Sequence, residues 1–272
     1  MQTFVISLKP PTHASNVALR DRLTRHGFSV EVVPGVDGRE QKASDYFRQF
    51  QHYWREKGKI LTPAEMGVSL SHSVVHRLIV ERALPYAVVF EDDAQLDDDS
   101  CLLLRHLIDA RAYERGLVLL GAQEGLEHLT RMVHATAVPD GPGLWVINPD
   151  DLGFIYRAAG YVVSGEDAAA LAKLAELGPA LADDFAYMHA NAPLPDVLIC
   201  DCIGHPLVLE ASSVEAERNL LRANALRLDN SLYARLKREI MSTLASRAQE
   251  RQRRARAVGQ ARLEWKSRWG KQ

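Results

Sequence analysis

The stretch LTPAEMGVSLSHSVVHRLIVERALPYAVVFEDDAQL, residues 61–96, decides the fold. Its first half carries helix signals: Thr62 can cap, Pro63 suits the first turn, and Glu65 completes a capping box. Leu70, Val74 and Leu78, together with Val75 and Ile79, form an apolar stripe at helical spacing. Pro85 closes the connection, and YAVVF follows as a short apolar run of the kind that makes a central strand. A helix feeding a buried strand belongs to the strand–helix–strand alternation that builds parallel sheets. The strand then runs into Glu91, Asp92 and Asp93. Adjacent like charges are costly unless something positive sits with them, and a divalent metal is the first candidate. Open α/β sheets bind ligands at the carboxyl ends of such strands.

Working outward, TFVISL (3–8) reads as a buried opening strand, followed by a helix over Ser15–His26 that Gly27 ends. FSVEVVPG is a second strand, VDGREQKAS a loop, and residues 45–58 an irregular helix. On the other side, GLVLLG (116–121) is a strand, and the Gly- and Pro-containing residues 122–153 suit loops or a small antiparallel piece. Gly160–Ser164 is a strand leading into a helix over Glu166–Leu177. ALADDFAYMHAN is a short helix, and VLICDCIGHPLVLEASS holds the last strands. From Leu226 the pattern is helical, with Leu228, Leu232, Leu236 and Ile240 at fourfold spacing. The expectation is an α/β fold with a mostly parallel central sheet over residues 1–225 and a basic helical extension over 226–272.

The composition, 47% hydrophobic and 25% charged over 272 residues, is that of an ordinary globular protein. No run reaches the ~18 apolar residues of a membrane span. No basic region followed by an apolar stretch opens the chain, so a cytoplasmic location is expected. Three cysteines make no disulfide framework, and Cys200-x-Cys202, without a second pair at zinc spacing, reads as buried thiols. The net charge of −2 conceals an asymmetry. Residues 231–272 hold 12 Lys and Arg against 3 Asp and Glu, a net +9, which leaves the other residues at 21 against 32, a net −11.

Glu91 and Asp93, two apart on the strand, share one face and could hold Mg²⁺ or Mn²⁺ with phosphate oxygens in the other positions. The alternative is a solvated acidic turn like Asp97-Asp98-Asp99. His72 and His76 stand one helical turn apart as a zinc pair or as structural histidines. Gly67 costs its helix about 1 kcal/mol against Ala, which a close approach of backbone or ligand would explain. Asp183 and Asp184 are either a helix cap with its first-turn partner or a general base. His205, before Pro206, is a late metal ligand or a structural residue.

The order VISL, GVDG, LTPAEMGVSLSHSVVHRLI, AVVFEDDA, AAGYVVSGEDAAAL and ALADDFAYM resembles glycosyltransferase family 25 over roughly residues 2–213. That is the bacterial lipopolysaccharide and lipooligosaccharide glycosyltransferase group, related to collagen galactosyltransferases. The resemblance implies a GT-A-like fold, a nucleotide-sugar donor (usually UDP-galactose), a divalent metal (Mn²⁺ or Mg²⁺) and inversion at the anomeric carbon. It places Glu91 and Asp93, with Asp92 supporting, in the metal–diphosphate role, and His205 joins them as a metal ligand. Ser7, Leu8, Asp37, Gly38, Ser71, His72, Gly160 and Tyr161 fall at the donor, and Asp184, with Asp183 second, takes the base role. Two positions depart from the family: the first Arg is Arg20, and Val68 stands where Cys is common. A UDP-sugar donor and a lipid-anchored saccharide acceptor are the implied partners. Nucleic acid is not expected.

The basic tail, with Trp265 and Trp269 one turn apart, suits the anionic inner face of a membrane, the alternative being a solvated terminal helix. A phospho-receiver domain is the first rival, but VISLKPP lacks the acidic pair such a domain carries after its first strand. The second is a non-catalytic nucleotide-sugar or glycan-binding protein on the same fold.

Overall fold

The computed structural model describes residues 1–139, 143–206 and 213–228. The chain divides into two compact units, Met1–Leu209 and Glu210–Gln272. The first opens with β1 (Gln2–Ser7), α1 (Ala14–Arg25) and β2 (Ser29–Pro34), then a 3₁₀ turn at Gly38–Glu40. Next come α2 (Ala43–Gln49), α3 (Gln51–Lys57), α4 (Pro63–Glu81), β3 (Tyr86–Glu91) and α5 (Asp98–Asp109). They are followed by β4 (Leu117–Gly121), α6 (Glu127–Thr130), β5 (Ala135–Ala137), β6 (Trp145–Ile147) and β7 (Gly160–Ser164). The unit closes with α7 (Gly165–Ala175), α8 (Phe185–Asn191) and β8 (Val197–Ile203).

The strands form one eight-stranded sheet in the order β2-β1-β3-β7-β4-β8-β6-β5. Pairs β1–β2, β1–β3 and β4–β8 are parallel. Strands β7 and β6 run against their neighbours, so six strands share one direction and two oppose it. The α/β reading with a mostly parallel sheet therefore holds, with one correction: the strand at Gly160–Ser164 enters the centre of the sheet antiparallel. A strand buried on both faces alternates in the same way whichever way it runs, so its sequence carries no sign of direction.

Alternate strand residues serve the two faces. Val5, Val88, Phe90, Val118, Val162, Leu198 and Cys200 pack with Leu19 and Leu23 of α1 and with Leu104, Leu107 and Ile108 of α5. On the other face α4 and α7 pack against each other; α4 covers β1 and β3, and α7 covers β7. Cys200 and Cys202 are buried thiols, as read from the sequence.

Helix α4 starts as expected. Thr62 Oγ1 accepts from Glu65 N at 3.1 Å, and Glu65 Oε2 accepts from Thr62 N at 2.8 Å. Its buried face holds Val75 and Ile79 of the apolar stripe but otherwise departs from it. Leu70, Val74 and Leu78 are half-buried, while Ser69, Ser71, His72, Ser73 and His76 are buried. The serines can be buried because Ser71 Oγ donates to Gly67 O at 2.7 Å and Ser73 Oγ to Ser69 O at 2.9 Å, so neither hydroxyl loses its partner on leaving water. Gly67 is explained by proximity: a Cβ there would lie 2.4 Å from Val36 O, and one on Gly38 would lie 1.8 Å from Pro63 O.

Among the described residues no helix is long and apolar enough to cross a membrane. The second unit holds α9 (Ser213–Leu228), which begins ahead of the Leu226 read from the sequence. Leu232, Leu236, Ile240, Trp265 and Trp269 lie outside the described residues, as does the side chain of Leu228.

Candidate active site

Parallel register puts Ile6 beside Glu91, so the ends of β1 and β3 are level. The strand stops there: Ala94 N donates back to Glu91 O at 3.2 Å, and the turn sends the three carboxylates to three different elements. Glu91 Oε1 accepts from His72 Nε2 of α4 at 3.1 Å. Asp92 Oδ2 accepts from Ser7 Oγ at 2.7 Å and pairs with Lys9 Nζ at 3.0 Å. Asp93 Oδ2 faces His205 Nε2, just beyond β8, at 3.3 Å. Each charge thus has its own protein partner, and the alternation expected to align Glu91 with Asp93 ends at the turn.

Behind Glu91 runs a buried polar chain. His72 Nδ1 and His76 Nε2 both lie 2.9 Å from Tyr161 Oη. Register sets Tyr161 beside Val89, two residues before Glu91. Burial, reinforced by the charges of His72 and Arg77, lowers the pKa of His76 to about 3, so it is neutral. Burial and the nearby Glu91 charge push the Tyr161 phenol well above its ordinary value. His72 Nε2–H donates to Glu91, and Tyr161 Oη links His72 to the neutral His76. His72 and Tyr161, expected at the donor, are 5% and 4% exposed and hold Glu91 from behind.

The other expected donor residues cluster where β1, β2 and α4 meet. Ser7 is buried and accepts from Asn16 Nδ2 at 3.1 Å and Lys9 N at 3.0 Å. Leu8 is exposed beside Gly35. Asp37 caps the 3₁₀ turn and binds Arg39 through both oxygens, which lowers its pKa. Ser71 Oγ accepts from Val36 N at 2.8 Å, and Gly38 touches α4 backbone to backbone, so this loop is latched to the helix. Gly160 is a packing glycine: a Cβ would meet Ile203 Cδ1 at 2.6 Å and Phe90 Cδ1 at 2.8 Å.

A second cluster surrounds Asp93. Gln95 and Gly204 exchange backbone hydrogen bonds of 2.9 and 2.8 Å, which brings His205 against Asp93. His205 Nδ1 donates to Pro206 O at 2.9 Å, leaving Nε2 for Asp93. Burial alone would lower the pKa of His205, but the bond and charge of Asp93 outweigh it and leave it raised. Burial likewise opposes the ionised form of Asp93, and His205 outweighs it, leaving that pKa lowered. Asp183 Oδ2 accepts from Arg157 N at 3.1 Å. Asp184 is more committed. Its Oδ1 caps α8 through Tyr187 N at 2.9 Å, and its Oδ2 accepts from Tyr53 Oη at 2.7 Å with Lys57 Nζ at 3.3 Å. The sequence reading missed Gln123, Glu124 and Arg157. They precede or follow irregular backbone, and their contacts, 33 to 35 residues apart in sequence, leave no periodic trace.

Asp93 and His205 suit a divalent cation: Asp93 Oδ1 is buried without a hydrogen-bond partner, and His205 Nε2 is turned to the same carboxylate. Among the described residues, however, no three His, Cys, Asp or Glu side chains are grouped to hold a metal. Glu91, Asp93 and His205 therefore do not form one cluster. A cation here fits two protein donors, one carboxylate oxygen and one imidazole nitrogen, with ligand oxygens in its remaining positions.

The fold and this edge define an α/β protein whose carboxylates and histidines gather at the carboxyl ends of β1, β3 and β8. The sequence model described as glycosyltransferase family 25 (LPS biosynthesis protein) matches residues 1–134, so the resemblance to that family holds across β1–β3, α4 and the three carboxylates. A Rattus norvegicus protein named "Probable inactive glycosyltransferase 25 family member 3" is 29% identical over 175 residues, covering 60% of this chain and 28% of that protein. The chain thus spans under a third of that relative's length. Two solved structures are loosely similar in fold. One is a UDP-glucose pyrophosphorylase complexed with UDP-glucose, with a TM-score of 0.42 and 10% identity, covering 75% of this chain and 91% of that one. The other is a putative glucose-1-phosphate thymidylyltransferase from Bacillus anthracis, with a TM-score of 0.42 and 12% identity, covering 85% and 97%.

Proposed function

We propose that this chain is an inverting glycosyltransferase that moves a hexosyl group, with UDP-galactose as the first donor to test, onto a saccharide of lipopolysaccharide, lipooligosaccharide or a related surface glycan. The observation that carries this reading is the convergence at one sheet edge of a cation-competent pair, Asp93 and His205, with the carboxylate of Asp183. UDP leaves poorly until its diphosphate charge is compensated; Mn²⁺ or Mg²⁺ held by Asp93 and His205 would supply that compensation. Glu91, fixed by His72, and Asp92, fixed by Ser7 and Lys9, set the shape of the donor edge. The acceptor hydroxyl forms its bond to the anomeric carbon as the bond to the phosphate oxygen breaks, and a carboxylate takes the hydroxyl proton. Asp183 suits that role better than Asp184. One oxygen of Asp183 is occupied by Arg157 N, whereas both oxygens of Asp184 are engaged by Tyr187, Tyr53 and Lys57.

A second reading has its own support. Each of the three strand-end carboxylates is matched by a protein group, and a relative is named as probably inactive. On that reading the chain binds a nucleotide sugar or glycan without transfer. One experiment separates them: UDP release from UDP-galactose, UDP-glucose and UDP-N-acetylglucosamine with Mn²⁺ and a lipooligosaccharide-derived acceptor, run beside thermal-shift binding. Acceptor-dependent release supports transfer. Binding without release supports the second reading, and neither signal with any donor defeats both.

A further inference from the structure

Arg157 is held more firmly than its surroundings require. Its backbone is left-handed, with φ +65°, and so is that of Ala122 across from it, with φ +62°. A non-glycine residue in that region is strained and persists where its neighbours over-determine it. The neighbours do so reciprocally. Gln123, 2% exposed, accepts from Tyr156 N at 3.2 Å and donates to Gly121 O at 3.1 Å and to Tyr156 O. Arg157 returns the clasp: Nη1 donates to Ala122 O at 2.8 Å and Glu124 O at 2.9 Å, while its backbone N donates to Asp183. The result is a guanidinium fixed in place at the end of β4.

Only Nη1 is used by that clasp. Nε and Nη2 make no hydrogen bond with a described residue, and no described carboxylate pairs with Arg157 within the 4.0 Å of an ion pair. A partly buried cation left unpaired is costly unless an anion arrives from outside. Burial lowers the pKa of Arg157, and the charges of Glu124, Asp93, Asp183 and Glu127 offset this only in part. The planar fork with free parallel donors matches phosphate geometry.

We propose that Arg157 is an anion-binding residue of this edge, receiving phosphate oxygens on Nε and Nη2. Resting on the function proposed above, those oxygens belong to the diphosphate of the nucleotide-sugar donor. The side chain would then hold the charge that develops as UDP leaves.

The test is calorimetric titration of the full chain with inorganic pyrophosphate, UDP and uridine, comparing wild type with Arg157→Asn and Arg157→Lys. Asn tolerates the left-handed backbone, and Lys keeps the charge but loses the fork. Thermal unfolding confirms that each variant is folded, and Lys serves as the reporter if Asn is not. Loss of a charged hydrogen-bonding group predicts roughly 10- to 100-fold weaker binding of pyrophosphate and UDP, with uridine affinity unchanged. Equal affinity of folded variants and wild type for both phosphate ligands overturns the assignment and leaves the functional reading standing. Pyrophosphate binding that depends on Arg157, without UDP binding, keeps the anion site and removes the UDP-sugar reading. No binding of either phosphate ligand to wild type defeats both.

Discussion

At the residue scale, neighbouring carboxylates have different work. Asp183→Asn should slow transfer by roughly two to four orders of magnitude, the usual range for loss of a general base, with little change in unfolding temperature. Asp184→Asn should do the reverse. Asn still caps α8, but the charge facing Tyr53 and Lys57 is gone, so thermal stability falls while UDP affinity holds. Paired rate and unfolding measurements on both variants decide; a crippled, stably folded Asp184→Asn returns the base role to Asp184. His76 gives a pH prediction. Its pKa is about 3 in the fold against 6.5 for an ordinary histidine, so between these values the unfolded chain binds the extra proton. Stability from this group is therefore complete above pH ~6.5 and falls on acidification toward pH 3, by up to ~1.4 kcal/mol per pH unit. Chemical denaturation at pH 7 and pH 5 should show a shallower acid loss for His76→Gln; equal slopes would remove His76 as the cause. The three strand-end carboxylates were legible because they interrupt an apolar run. His205 was read with them as a metal ligand, but the pairings of His72 with Glu91 and Lys9 with Asp92 were not, because such pairings follow from sheet register and chain crossings.

At the element scale, α4 shows what local sequence can state and what it cannot. Its capping box was readable because Thr62 and Glu65 satisfy each other within one turn. The polar part of its buried face was not, since the polar side chains turned inward are satisfied by Tyr161 and by carbonyls of α4 itself. Gly67 makes the competition measurable. Ala would favour the isolated helix by about 1 kcal/mol, yet its Cβ would stand 2.4 Å from Val36 O and 2.7 Å from Gly38 N. Backbone cannot yield as a flexible side chain can, and overpacking costs typically ~1–3 kcal/mol, so the clash should win. Gly67→Ala should lower the unfolding temperature and loosen the loop that carries Asp37 and Gly38. Thermal denaturation checks the first, and protection of the Val36 amide, which donates to Ser71, checks the second. A stabilised variant would mean that the loop shifts at no cost.

At the scale of the whole molecule, an α/β sheet with helices on both faces followed from alternating apolar strands and helices. The reversed β7 did not, for want of any directional signal in a buried strand. Charge is the other whole-molecule property. The −11 carried outside residues 231–272 disfavours approach to an anionic surface, while the +9 within them favours it. At physiological salt the screening length is ~8 Å, so a tail touching the surface feels it while charges farther away are screened. Each Lys or Arg near an anionic leaflet contributes about 1 kcal/mol, and the segment after Ser246 also carries Trp265 and Trp269. The full chain should therefore sediment with vesicles containing phosphatidylglycerol, should not sediment with neutral phosphatidylcholine vesicles, and should be released as NaCl rises from about 0.05 to 0.5 M. A chain ending at Ser246 should stay in the supernatant. Equal sedimentation of the two chains, or none of either, would exclude the tail as a membrane contact; salt-insensitive binding of the full chain alone would assign the attachment to the tryptophans over the charges.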